Sequence, residues 1–447
     1  MSKRNLILLI IILAIIAVVA FGFFYFNQPT NTATEGGNSG TNFIANFLPF
    51  GKSKTTAPTD TAIPTDISGY EPPTEEEQSD IKLKKVSSSP VAGFGVYMKE
   101  RFKEIPNPSQ TLPLSGEEGS GGQSATSVAP PTEFAPALRY VDRITGNIYQ
   151  TFADIVDERK FSSTVIPKVY EAFFGNKGES VVMRYLKEGD KTIETFVGNI
   201  PKEFLGADSA GMNEIAGSFL PENISDMSVS PDASKIFYLF NTGNNAIGVT
   251  LALSAGAKVQ VFDSPFTEWT ALWPNNKMIT MTTKPSANVP GFMYAIDPDK
   301  KDFSKVLGGI NGLTTLTSPN GKLVLYGDNN LSLGIFDVGA RNSSSLGVKT
   351  LPEKCVWGGG SDVIYCAVPK FTDSAEYPDA WYRGEVSFTD EIWKIDASSG
   401  NATKILDPVS EEGGEEVDAI KLALDEGQNY LLFVNKKDSY LWELNLK

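Results

Sequence analysis

Three observations predict an all-β chain closed into a β-propeller. A short strand, a polar turn and a second strand recur over residues 229–239, 271–281 and 316–326, and their prolines, Pro231, Pro274 and Pro319, stand 43 and 45 residues apart. A unit of 40–45 residues with four short strands is the repeat of a propeller blade. Between these hairpins, apolar runs end on aspartate at Asp297, Asp337 and Asp396. An aspartate there suits a turn, because its side chain bonds its own backbone two residues on. Innermost strands are expected near residues 94, 170, 228, 271, 315, 355 and 421, which makes seven blades, or six if one of the two wide spacings holds none.

Taken in order, the chain divides into 1–26, 27–80 and 81–447. Lys3 and Arg4 precede an uncharged run that begins at Leu6 and ends at Phe26. Such a run spans about 30 Å as a helix, the thickness of a hydrocarbon core. The basic flank places the N-terminus in the cytoplasm and the remainder outside the membrane. The competing reading is a cleaved signal peptide, whose apolar core is shorter. Residues 27–80 are rich in Thr, Pro, Ser and Gly and read as a disordered stalk, interrupted by one apolar island at 43–50.

Residues 81–86 alternate as an edge strand does. The last unit shows only three strands, so this segment is expected to supply the fourth and close the ring. Two insertions interrupt the pattern, near 100–135 and 369–389.

Composition excludes several function classes. Histidine is absent, which removes the commonest general base and zinc ligand, every Ser-His or Cys-His nucleophile, and any haem or zinc held through histidine. No motif calls for a cofactor. The net charge of −15 argues against nucleic acid as a partner. No phosphate loop, dinucleotide glycine pattern or Gly-x-Ser-x-Gly is present. Asp297 to Asp302 has the oxygens of a calcium loop but lacks its glycine and terminal glutamate, and reads as a strand-to-strand turn.

The segments Ser230-Pro231-Asp232-Ala233-Ser234-Lys235 and Ser318-Pro319-Asn320-Gly321-Lys322 resemble the TolB-like (PD40, WD40-like) propeller repeat, and Trp273-Pro274-Asn275-Asn276-Lys277 resembles it in part. The layout also resembles single-pass, surface-exposed bacterial propellers. The resemblance implies a fold rather than an activity, since such repeats serve as binding scaffolds, periplasmic assembly factors and peptidase lids.

Cys355 and Cys366 flank a hairpin turning at Gly358-Gly359-Gly360, and face each other if Gly358 pairs with Val363. In an exported domain that register favours a structural disulfide, the alternative being two reduced core cysteines. The 369–389 insertion carries Tyr377, Asp379, Trp381, Tyr382 and Arg383, a mixture of aromatic area and directional polar groups suited to recognition. Its alternative is a loop that packs Trp381 and Tyr382 onto its own blade. The function expected from these features is non-catalytic: a membrane-anchored propeller that recognises or scaffolds a protein or glycan at the cell envelope through its rim loops. The alternative is a carboxylate-dependent glycan hydrolase or lyase working in the funnel, since 54 acidic residues supply many carboxylate pairs.

Overall fold

The computed structural model describes residues 82–103 and 131–447, apart from 156, 188, 190, 204 and 206–212. The segments expected to form the membrane span (6–26) and the stalk (27–80) and most of the first expected insertion lie outside the described residues. Among the described residues no helix is long and apolar enough to cross a membrane.

Seven four-stranded antiparallel sheets follow one another along the chain. Their innermost strands are Val91–Phe102, Val169–Gly175, Asp226–Val229, Trp269–Asn275, Thr314–Thr317, Cys355–Trp357 and Ala419–Leu424, which number the blades one to seven. Each lies where the repeat spacing places it, so the count is seven and not six.

The Pro-marked turns have a common local cause. The Ser230 hydroxyl accepts from the Lys235 amide (2.9 Å) and donates to Asp232 (2.7 Å). Ser318 repeats this with the Leu323 amide (3.0 Å) and Asn320 (2.8 Å). Gly321 sits at φ +72, and Ala233 takes the equivalent left-handed position at φ +55, where glycine would be unstrained. Residues on either side of the turn then alternate between the two faces of the blade. Ile236, Phe237, Tyr238 and Leu239 are all nearly inaccessible because both faces of an inner blade strand are covered by neighbouring blades.

Closure is by strand exchange between the chain ends. Leu83–Lys85 pairs with Leu441–Asn445, with Leu83 opposite Leu444 and Lys85 opposite Trp442. Blade seven then packs on blade one through Leu432, Val434 and Leu441 against Val91, Leu138 and Tyr140. The first insertion is shorter than its composition suggests. Phe102 still pairs with Thr132, so the first two strands of blade one form a long ribbon, and 104–130 lie outside the described residues.

In blade six Cys355 and Cys366 are direct cross-strand partners, their Cα atoms 4.0 Å apart, and the sulfurs are bonded. The Gly358 amide donates to the Val363 carbonyl (2.8 Å), which sets that register. Both cysteines are buried, at 5 % and 0 % exposure, so the bridge is structural. Replacing both by alanine is expected to cost about 3 kcal/mol, the chain-entropy value for a loop of this length. Thermal unfolding followed by circular dichroism, compared with the wild type, checks it.

A propeller channel lined by titratable groups

One face of the ring carries the loops joining second to third strands and those leading into each innermost strand. The 369–389 insertion belongs to this face, between the strands Val363–Pro369 and Asp390–Asp396 of blade six. It contains a single helical turn, Asp379–Tyr382. Its course is set by polar ties to a distant blade. The Ala287 amide of blade four donates to Asp379 (2.6 Å), and the Asn288 side chain donates to Glu376 (3.1 Å). Between these ties, Tyr377, Trp381 and Phe388 pack on Leu331 and Leu351 of blade five.

Beneath the insertion is a fully buried ionic cluster. Lys354, Asp390 and Asp418 have side-chain exposures of 0 %; the Lys354 ammonium lies 2.8 Å from Asp390 and also pairs with Asp418. The Trp381 indole N–H and the Phe388 amide donate to Asp418, each at 3.0 Å. The Lys436 ammonium sits 3.9 Å above the Trp381 ring. The cluster is tolerated at this depth because the lysine is shared by both carboxylates and Asp418 takes further donors, although Asp390 Oδ1 has no hydrogen-bond partner.

This assigns the five expected contact residues. Tyr377 (4 % exposed) and Trp381 (5 %) are buried in the insertion's own core, with the Tyr377 hydroxyl donating to the Asp373 carbonyl (2.9 Å). Asp379 is consumed by the tie to blade four. Their aromatic and polar surface holds the insertion in place. Arg383 remains exposed but is paired with Glu385 (2.7 Å). Tyr382 also projects: it is 41 % exposed and its hydroxyl donates to Glu353.

Tyr382 leads to groups that the sequence does not single out. Although it is accessible to water, burial raises its phenol well above the usual range, with Glu353, Asp379 and Asp226 adding to the shift. Asp226 belongs to blade three, so Tyr382 of blade six feels it across the channel. Asp226 stands at the head of its innermost strand, partly accessible yet enclosed, and accepts from the Ala271 amide of blade four (2.5 Å). Burial raises its carboxyl to about 7, against the lowering by backbone amides; Glu171 adds to the rise and Arg184 opposes it. Glu353 is exposed and likewise raised by burial, with the Tyr382 hydroxyl acting against the rise. Glu171 pairs with Arg184 on blade two, and Lys421 of blade seven donates to the Ala92 carbonyl of blade one (2.7 Å). Glu171, Asp226 and Lys421 lie on innermost strands and Glu353 just before one, and innermost strands line the central channel of a propeller. Its wall is polar and carries both signs of charge.

The raised carboxyl of Asp226 fixes the sign of a pH effect. The folded state holds this proton more firmly than the unfolded chain does. The resulting stability is fully present below about pH 4 and is lost as the pH rises through about 7. Asp226→Asn, which keeps the oxygen that accepts from Ala271, is expected to stabilise at pH 8 by on the order of 1 kcal/mol after screening by channel water, and not at pH 4. Melting at the two pH values reads this directly.

The opposite face carries clefts, one of about 520 Å³ between blades five and six lined by Asp337, Ser344 and Asp362. A cleft of about 270 Å³ between blades one and two is lined by Tyr97, Lys99, Arg139 and Glu203. Lys99 and Arg159 both pair with Glu203 there, while Arg139 bonds Gln150 (3.0 Å) and the Gly178 carbonyl. No group of side chains among the described residues has the arrangement of a metal site.

The fold and this site define a seven-bladed propeller with a charged central channel. No protein-family model and no curated protein matches the chain. Among solved structures it is similar to an oligogalacturonate lyase from Vibrio parahaemolyticus, at 6% identity and a TM-score of 0.47, covering 70% of this chain and 86% of that one. It is similar to an oligogalacturonate lyase in complex with manganese at 10% identity and a TM-score of 0.45, over 70% and 86% of the two chains. A functionally unknown protein from Desulfotomaculum acetoxidans gives 13% identity and a TM-score of 0.42, over 69% and 89%. Likeness at this level is a likeness of fold and carries no argument about chemistry.

Proposed function

We propose that the protein is a non-catalytic, membrane-anchored, extracytoplasmic propeller that binds a polar ligand, a glycan or a protein segment, in the mouth of its central channel. The observation that carries this reading is the electrostatic linkage of Asp226, Glu353, Tyr382 and Lys421, from blades three, six and seven: Tyr382 interacts with Glu353 and Asp226, and Asp226 and Lys421 both interact with Glu171 and Arg184. Rigid inner strands hold these groups, and the insertion is fastened over blades four to six by buried ties. A site prepared in this way loses little order on binding, which favours recognition. The membrane run at 6–26 and the stalk would hold the channel away from the bilayer. A test is to screen the full-length protein in detergent against arrays of envelope glycans and peptides, beside Asp226→Asn and Tyr382→Phe. A ligand retained by the wild type and lost by both variants supports the reading; equal retention by all three overturns it.

One observation favours the second reading, a carboxylate-dependent glycan hydrolase or lyase. Asp226 near 7 is a carboxyl able to hold a proton at neutral pH, as a general acid must, and burial raises Glu353 in the same direction. New sugar ends released from a retained glycan by the wild type, and not by Glu353→Gln, would move the assignment to that reading.

A further inference from the structure

We propose that the channel rim between blades seven and one is an oxyanion site, in which Lys421 and Arg143 anchor a carboxylate or phosphate group of the ligand. This deepens the channel reading and rests on it.

The first observation concerns the backbone. Lys421 lies inside the innermost strand of blade seven, yet its φ is +54. Among the described residues it is the one non-glycine left-handed residue within a strand. The pairing register slips there, between Ile420 and Ala423. Corresponding slips open the innermost strands of the next two blades, between Val91 and Gly93 and between Val169 and Glu171. Three adjacent blades thus bulge at the same end of the same strand. Bulges re-aim side chains at the cost of ladder bonds, and a lysine retained in a strained conformation points to a use for its amine.

The second observation concerns charge. In a chain of net charge −15, Lys421 and Arg143 form no ion pair among the described residues. The Lys421 ammonium donates to the Ala92 carbonyl (2.7 Å), and Arg143 donates to the Ser439 hydroxyl (2.7 Å), each tie joining blade one to blade seven. Glu171, the carboxylate whose field reaches Lys421, is engaged by Arg184. The rim therefore holds cations whose donors outnumber their protein acceptors. Burial lowers the Lys421 pKa from its ordinary value, with Arg143 and Arg184 acting in the same direction. An incoming oxyanion would relieve that repulsion.

Pyridoxal 5′-phosphate is a direct probe, since it carries both an oxyanion and an aldehyde. The lysine amine attacks the aldehyde carbon, the carbonyl oxygen leaves as water, and borohydride then delivers hydride to the imine carbon and fixes a secondary amine. The full-length protein in detergent is labelled briefly, and modified peptides are quantified by mass spectrometry. Lys421 is expected to label several-fold faster than the exposed Lys258 and Lys277. Inorganic phosphate or glucuronate is expected to slow that labelling, glucose is not, and Arg143→Ala should weaken the protection. Labelling of Lys421 no faster than Lys258 and indifferent to phosphate overturns the proposal. Lys421→Gly, which accommodates the left-handed backbone, supplies a second readout. It should abolish phosphate binding while keeping the wild-type melting temperature or raising it; wild-type phosphate affinity in this variant overturns the site. If a channel ligand is lost by Asp226→Asn yet kept by Lys421→Gly, the oxyanion site fails and the channel reading stands. If neither variant affects binding, both fail.

Discussion

Lys354→Met is expected to destabilise the protein by about 3 to 5 kcal/mol, the range for breaking a buried ion pair from one side. The methionine fills the space of the lysine stem, so packing is nearly preserved. What is lost is the single ammonium shared by Asp390 and Asp418, all three side chains being at 0 % exposure. Two carboxylates then face each other without a cation. The loss should be greater at pH 8 than at pH 5, because protonating one of them relieves the repulsion. Burial already raises Asp390 to about 6 in the presence of Lys354, which opposes the rise. The effect should also reach the insertion, since Asp418 accepts from the Trp381 indole and the Phe388 amide. Denaturant unfolding gives the energy, and hydrogen exchange over 371–389 reports the loosening. Unchanged exchange in that segment would mean that the cluster does not hold the insertion.

Deleting residues 82–86 within the full-length chain is expected to cost roughly 5 kcal/mol and to cause association. The segment contributes Leu83 (2 % exposed) and Val86 (3 %) to the cores of blade seven. It also supplies Lys84, which lies 3.3 Å from the carboxylate of Glu443, itself at 0 % exposure. Burial raises Glu443 to about 7, and Lys84 acts against that rise. Without Lys84 an uncompensated acid would remain inside the blade. Without the strand, the backbone of Leu441–Asn445 would present an open edge to other molecules. Unfolding midpoints and size-exclusion chromatography check the two effects; a monomer of wild-type stability would show that closure does not depend on this strand.

The fold was legible because its signals are local. Ser230 and Ser318 organise their turns within six residues, and the repeat period then places every innermost strand. The Cys355–Cys366 register followed from the Gly358 turn alone. The closing strand could be read from the missing fourth strand of the last unit. The site was not legible, for a physical reason. Glu171, Asp226, Glu353 and Lys421 come from four different blades, and no spacing along the chain records that they surround one channel. Each looks like an ordinary polar residue of a strand or connection. The bulge at Lys421 shifts the register by one residue, which an alternating pattern does not reveal. The 369–389 insertion was visible as an insertion. Its aromatic residues read equally well as contact surface or as packing, and only the ties to Ala287 and Asp418 decide for packing of Tyr377 and Trp381.

The central claim is that ligand enters the channel from the face that carries Tyr382. Hydrogen–deuterium exchange of the full-length protein, with and without a ligand retained on the arrays, tests it most directly. The account predicts protection concentrated at 169–172, 225–228, 351–354, 380–384 and 419–423, the segments that bring Glu171, Asp226, Glu353, Tyr382 and Lys421 together. Protection confined to the Pro-marked turns at 230–234 and 318–322, on the opposite face, would contradict it.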